Sequence, residues 1–115
     1  MTLGEVREAL EAEVLCGEDR LGLDIRSACG SDLMSDVLAF MRPNWLLLTA
    51  LVNPQVVRTA EMAELAAVCF VRGKRPDQDT VGLAAEKGIP LLRTRLCMFD
   101  SCVRLHDGGL LGCRE

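Results

Sequence analysis

A chain of 115 residues, half of them hydrophobic, has the length and apolar content to fold as one domain around a real core. Its net charge of −4 and its few aromatic residues, three Phe and one Trp, argue against a nucleic-acid backbone as partner and leave little surface for stacking bases. No run reaches the roughly 18 apolar residues of a membrane helix, and the acidic, amphipathic amino terminus predicts no signal peptide.

Thr2-Leu3-Gly4-Glu5 is a capping box opening a helix that runs to about Ala12, with Leu3, Val6 and Leu10 on one side. Residues 13–16 predict a short strand and residues 17–22 a polar turn. Residues 25–29 predict a second strand, with Ile25, Ser27 and Cys29 sharing one face. Gly30-Ser31-Asp32 then supplies capping residues to a helix carrying Leu33, Met34, Val37, Leu38 and Met41, stopped near Pro43.

Residues 45–49 are apolar on both faces and predict a central strand. Asn53 caps a third helix with Pro54 in its first turn and a stripe of Val56, Val57, Ala60, Ala63 and Leu65. Residues 66–71 predict the next strand. Pro76-Asp77 starts a fourth helix with Val81, Ala84 and Ala85, which Gly88 ends. Residues 89–92 predict a strand whose Pro90 suits its beginning or a sheet edge. Phe99, Cys102, Val103 and His106 follow helical spacing in a last helix, terminated by Gly108-Gly109. Short apolar runs alternating with helical stretches imply parallel strands joined by crossover helices. The expectation is a single α/β domain over residues 1–115, with a mixed, mostly parallel sheet flanked by helices.

In such sheets ligands gather at the loops after the strands. Five cations, Arg72, Lys74, Arg75, Arg93 and Arg95, fall in two of those loops, beside Gly73 and Thr94. Thr49 and Asn53 flank the loop before them, and Gly30, Ser31 and Asp32 form a further turn. Together they make a candidate site for a small phosphate-bearing or carboxylate ligand, with free amides of helix amino termini adding to the field. Ordinary solvated loop charge is the competing explanation.

Other chemistries lack their parts. Gly73-Lys74 has no second glycine at Walker spacing, and Arg75 follows the lysine. The single histidine, His106, has no nucleophile elbow before it. Cys102 and His106, four apart on a helix, are spaced to present two ligands to a metal, and no Cys-x-x-Cys pair completes the site. Cys97, Cys102 or Cys113 would be reactive if a cation such as Arg95 or Arg104 lowered a thiol pKa. Asp32 and Asp36 lie one helical turn apart, the spacing of a carboxylate pair or a metal site, and a helix cap plus an exposed polar residue explains them with less. Six cysteines in a chain with this much core predict reduced thiols and a cytoplasmic setting, with Cys16, Cys29 and Cys69 as small hydrophobes. No cofactor and no catalytic residue are expected.

Residues 29–38 (Cys-Gly-Ser-Asp-Leu-Met-Ser-Asp-Val-Leu), Gly88-Ile89-Pro90-Leu91-Leu92-Arg93-Thr94, residues 64–71 and residues 73–76 together resemble the DRTGG domain family. The resemblance covers nearly the whole chain and is closest to small stand-alone members encoded beside iron-only hydrogenases. It implies a fold similar to the amino-terminal domain of HPr kinase/phosphorylase, without that enzyme's phosphate-loop domain. It also implies a regulatory role, since such domains accompany CBS domains, pyrophosphatases and phosphotransacetylases. Ser27-Ala28-Cys29-Gly30 departs from the Thr-Gly-Gly type of motif. The expected function is therefore a non-catalytic regulatory or sensory module, homodimeric, binding a small anionic, nucleotide-like ligand. The alternative is an interaction or assembly factor for a hydrogenase or other redox enzyme. Met34, Met41, Met62 and Met98 suit an apolar interface and core filling equally.

Overall fold

The computed structural model describes residues 1–112. Five strands form one sheet, β1 (Glu13–Cys16), β2 (Ala28–Gly30), β3 (Leu46–Thr49), β4 (Ala67–Phe70) and β5 (Leu91–Arg93), in the order β1-β5-β4-β3-β2. Strands β2 to β5 are mutually parallel, and β1 closes the sheet antiparallel to β5. Consecutive parallel strands are added in one direction, so crossovers of one hand place their helices on one face. Those helices are α2 (Met34–Phe40), α3 (Pro54–Met62) and α4 (Gln78–Lys87). After β5 the chain changes sides, and α5 (Met98–Asp107) joins α1 (Leu3–Leu10) on the opposite face.

The strand alternation explains why the central runs read as apolar throughout. Leu47, Val68, Phe70 and Leu91 point to the α2–α4 side with Val37, Val56, Val57, Ala60 and Ala84. Leu46, Leu48, Ala67, Cys69 and Leu92 point to the other, against Leu3, Val6, Leu10 and Leu105. Each face therefore seals its own aliphatic layer. The expected single α/β domain with a mixed, mostly parallel sheet is what the structure shows.

Local signals are read correctly where the partner is local. Thr2 and Glu5 form both bonds of the capping box, at 3.1 and 2.8 Å. Asn53 caps α3, and Gly88 ends α4 in the left-handed region at φ 71°. Three expectations need correction. The second strand covers only residues 28–30, because the amide of Ile25 bonds to the Met1 carbonyl and that of Arg26 to Asn44, outside the sheet ladder. Leu33, not Ser31 or Asp32, is the N-cap of α2, and no side chain caps it. Helix α3 stops at Met62, so Leu65 is buried beyond the helix, while Ala85 of α4 faces solvent. The last helix forms where the spacing of Phe99, Cys102, Val103 and His106 places it; these four are exposed, and its inward residues are Ser101 and Leu105.

Candidate anion-binding rim

All twelve candidate ligand residues lie along the edge where the parallel strands end, but they form two groups. Adjacent strands are about 4.8 Å apart, so the turn after β2 sits roughly 14 Å from the loop after β5, three strands away. One group is fastened to itself, and the other carries the charge.

At the β2 and β3 end, Asp32 Oδ1 accepts the Thr49 hydroxyl and the Ala50 amide, both at 2.8 Å. Thr49 is buried, and its Oγ1 also accepts the Leu51 amide at 3.1 Å. Ser31 Oγ accepts the Leu33 amide, and Asn53 Oδ1 that of Gln55. Gly30 answers to packing: a Cβ there would stand 2.5 Å from the Met98 sulfur. These residues brace the loops.

At the β4 and β5 end, the loops depart toward opposite faces, since α4 covers one side and α5 the other. Such a divergence opens a crevice in many α/β sheets. Here backbone bonds tie the two loops together, Arg72 N–H to Leu96 O at 2.7 Å and Gly73 N–H to Thr94 O at 2.8 Å. Arg72 and Gly73 both lie in the left-handed region, at φ 59° and 68°. Arg72 bears a Cβ there, a conformation few residues other than glycine adopt. The Thr94 hydroxyl is buried and donates to the Leu10 carbonyl at 2.7 Å, fixing α1 beneath the rim.

The charge is only partly balanced. Arg75 reaches Glu13 Oε1 at 2.9 Å, and Arg93 reaches the same oxygen at 3.2 Å while its Nε donates to Gly73 O. Among the described residues, Arg72, Lys74 and Arg95 are exposed and make no salt bridge. Of these three, Arg95 lines a pocket of about 390 Å³, together with Glu11, Glu13, Arg93 and Thr94 among others. The helix amino termini contribute less than expected. Asp77 Oδ1 takes the Thr80 amide at 2.8 Å, and that backbone hydrogen bond holds the Asp77 carboxyl below its ordinary range. Asn53 and the Cys97 sulfur cap α3 and α5 in the same way. The positive field therefore comes from side chains.

Glu13 is the residue the sequence reading missed. It opens β1 in the sequence, and only the antiparallel register Glu13↔Arg93 carries it to the far ends of the parallel strands. No local signal marks it. On the opposite flank, Cys29, Cys102 and His106 line an apolar groove of about 400 Å³ with Leu48 and Leu105. Among the described residues, no three His, Cys, Asp or Glu side chains cluster to hold a metal. Cys113 lies outside the described residues. Burial pushes the Cys69 thiol up to about 12, whereas Cys97 and Cys102 are exposed.

The sequence matches the family described as the DRTGG domain over residues 5–107. No curated protein matches it. Among solved structures it is similar to the CBS and DRTGG domains of the regulatory region of Clostridium perfringens pyrophosphatase, a complex with the activator diadenosine tetraphosphate. The TM-score is 0.75 at 13% identity, and the match covers 90% of this chain and 45% of that one, so it shows the shared fold.

Proposed function

This chain belongs to the DRTGG domain family, and from that premise we propose that it is a non-catalytic regulatory module whose rim at β4 and β5 binds a small phosphate-bearing ligand. The observation that carries the reading is the placement of five cations at the end of β5 and on the two loops after β4 and β5, which hydrogen bonds lock into one unit. An acidic protein gains no solubility from such a cluster; it gains an anion site. Arginine suits phosphate because its planar fork offers paired donors. The similar pyrophosphatase region takes diadenosine tetraphosphate, and a chain of adjacent phosphates has the charge density to engage several of these side chains together. The pocket would belong to a cytoplasmic sensor with no chemistry of its own. A thermal-shift series with inorganic phosphate, pyrophosphate, tripolyphosphate and diadenosine tetraphosphate tests it. Stabilisation that grows with phosphate number supports the site, and a flat series removes it.

A second reading is an interaction module for a copy of itself or for a hydrogenase or other redox enzyme. Phe99 is 75% exposed on α5 and Val103 lies on the same helix, an apolar face without a partner among the described residues. Sedimentation of the wild type and of the Phe99→Ser, Val103→Ser double variant separates a self-association role from a monomeric one.

A further inference from the structure

We propose that Glu13 is the selectivity residue of this rim: its carboxylate occupies Arg75 and Arg93 in place of a phosphate, so that only ligands carrying more than one phosphate displace it. The inference rests on the anion-binding reading above and names the ligand class that reading leaves open.

Three observations converge on it. First, one carboxylate serves both arginines, with Oε1 at 2.9 Å from Arg75 and 3.2 Å from Arg93 and Oε2 at 3.3 Å from Arg75. Arg75 Nη2 is shared between the two oxygens and Arg93 Nη1 joins it on Oε1, so one anion bridges two guanidinium groups, as a phosphate oxygen could with the same donors. Second, the pair is displaceable. The Glu13 and Arg75 side chains are 49% and 56% exposed, against 19% for Arg93, and an ion pair as open to water as Glu13–Arg75 is weak. Third, Arg72, Lys74 and Arg95 stay outside the pair, on the same two loops and accessible.

The consequence is a threshold. A single phosphate that replaces Glu13 exchanges one anion for another on Arg75 and Arg93, and it then sits beside the displaced carboxylate. Little is gained. A longer chain repeats that exchange and adds new contacts to the unpaired cations, so its affinity rises steeply with phosphate number. Glu13→Gln keeps the size of the side chain and removes its charge, so the threshold should fall.

Isothermal titration with inorganic phosphate, pyrophosphate and tripolyphosphate at constant ionic strength reads this directly. Wild-type protein should prefer tripolyphosphate to phosphate by about 100-fold, taking each added charge-assisted contact as worth roughly tenfold. Glu13→Gln should bind all three anions about tenfold more tightly, which brings single phosphate above the threshold that the wild type sets. Glu86→Gln changes the net charge equally but sits near the far end of α4, and it should leave the series unchanged. Wild-type binding of tripolyphosphate with no gain in Glu13→Gln, or an equal gain in Glu86→Gln, overturns the role of Glu13 alone. Absence of binding in all three proteins overturns the anion site and this inference with it.

Discussion

The hydroxyl of Thr94 donates to the carbonyl of Leu10 at 2.7 Å, joining residues 84 positions apart at the junction of the first helix and the last strand. The same oxygen accepts the Leu96 amide at 3.2 Å, so one buried side chain holds both α1 and the loop that carries Arg95. The cationic rim thus rests on a buried polar anchor.

Replacing that anchor by its isostere should cost stability and loosen the rim. Thr94→Val strands the Leu10 carbonyl and the Leu96 amide, which should lower unfolding free energy by about 1–3 kcal/mol. In urea the midpoint should fall with an unchanged slope. An unaltered midpoint would remove the anchor from the account.

Arg72 sets function against stability. A side chain in the left-handed region costs roughly 1–2 kcal/mol, which glycine would largely relieve despite its greater freedom when unfolded. Arg72→Gly should therefore hold or raise the melting temperature while weakening tripolyphosphate binding about tenfold, the loss of one charge-assisted contact. A clear drop in melting temperature would mean that the backbone is at ease there.

The cap of α4 titrates in acid. The Thr80 backbone hydrogen bond keeps the folded-state pKa of Asp77 below its unfolded value. Its stabilisation is accordingly complete above the ordinary aspartate range and disappears as the pH falls through the lower, folded value. Asp77→Asn retains a capping side chain but loses this dependence. The stability gap between wild type and variant should narrow on acidification below that range, as read by urea titrations across acidic pH. Parallel curves would contradict the assignment.

The thiols should separate by burial. Exposed Cys97 and Cys102 should take a maleimide in the folded protein, whereas Cys69, its pKa pushed up to about 12, should react only on unfolding. Mass spectrometry of a timed labelling reaction reads the order. Early modification of Cys69 would mean that the sheet opens locally.

How much of this is legible in the chain depends on how far each partner lies. Thr2 with Glu5, Asn53 before Pro54 and Gly88 after Lys87 act within one helical turn, and their signals are sufficient. Asp32 looks like a helix cap but binds Thr49 on the next strand, a competitor 17 residues away that propensity does not see. In α5, the spacing of Phe99, Cys102, Val103 and His106 marks the helix but not its inward side, which carries Ser101 and Leu105 because α5 packs against α1. The loops bearing Arg72 to Arg75 and Arg93 to Arg95 come out side by side, as parallel strands require. Their counter-ion does not come from the pattern at all, since the pairing of residues 13 and 93 belongs to the register of an edge strand.

The central claim is that Arg72, Lys74 and Arg95 stand free to grip a chain of phosphates on a rim whose two loops are tied together by backbone hydrogen bonds. The most direct measurement is the melting temperature of wild type and of the Arg72→Ala, Lys74→Ala, Arg95→Ala triple variant with tripolyphosphate at about 100 times its dissociation constant for the wild type. Mass action at that excess supplies about 2.7 kcal/mol, a rise on the order of 10 °C for a domain of this size. The account predicts that rise in the wild type and its near absence in a triple variant that is otherwise equally stable. An equal rise in both proteins would place the ligand elsewhere and contradict it.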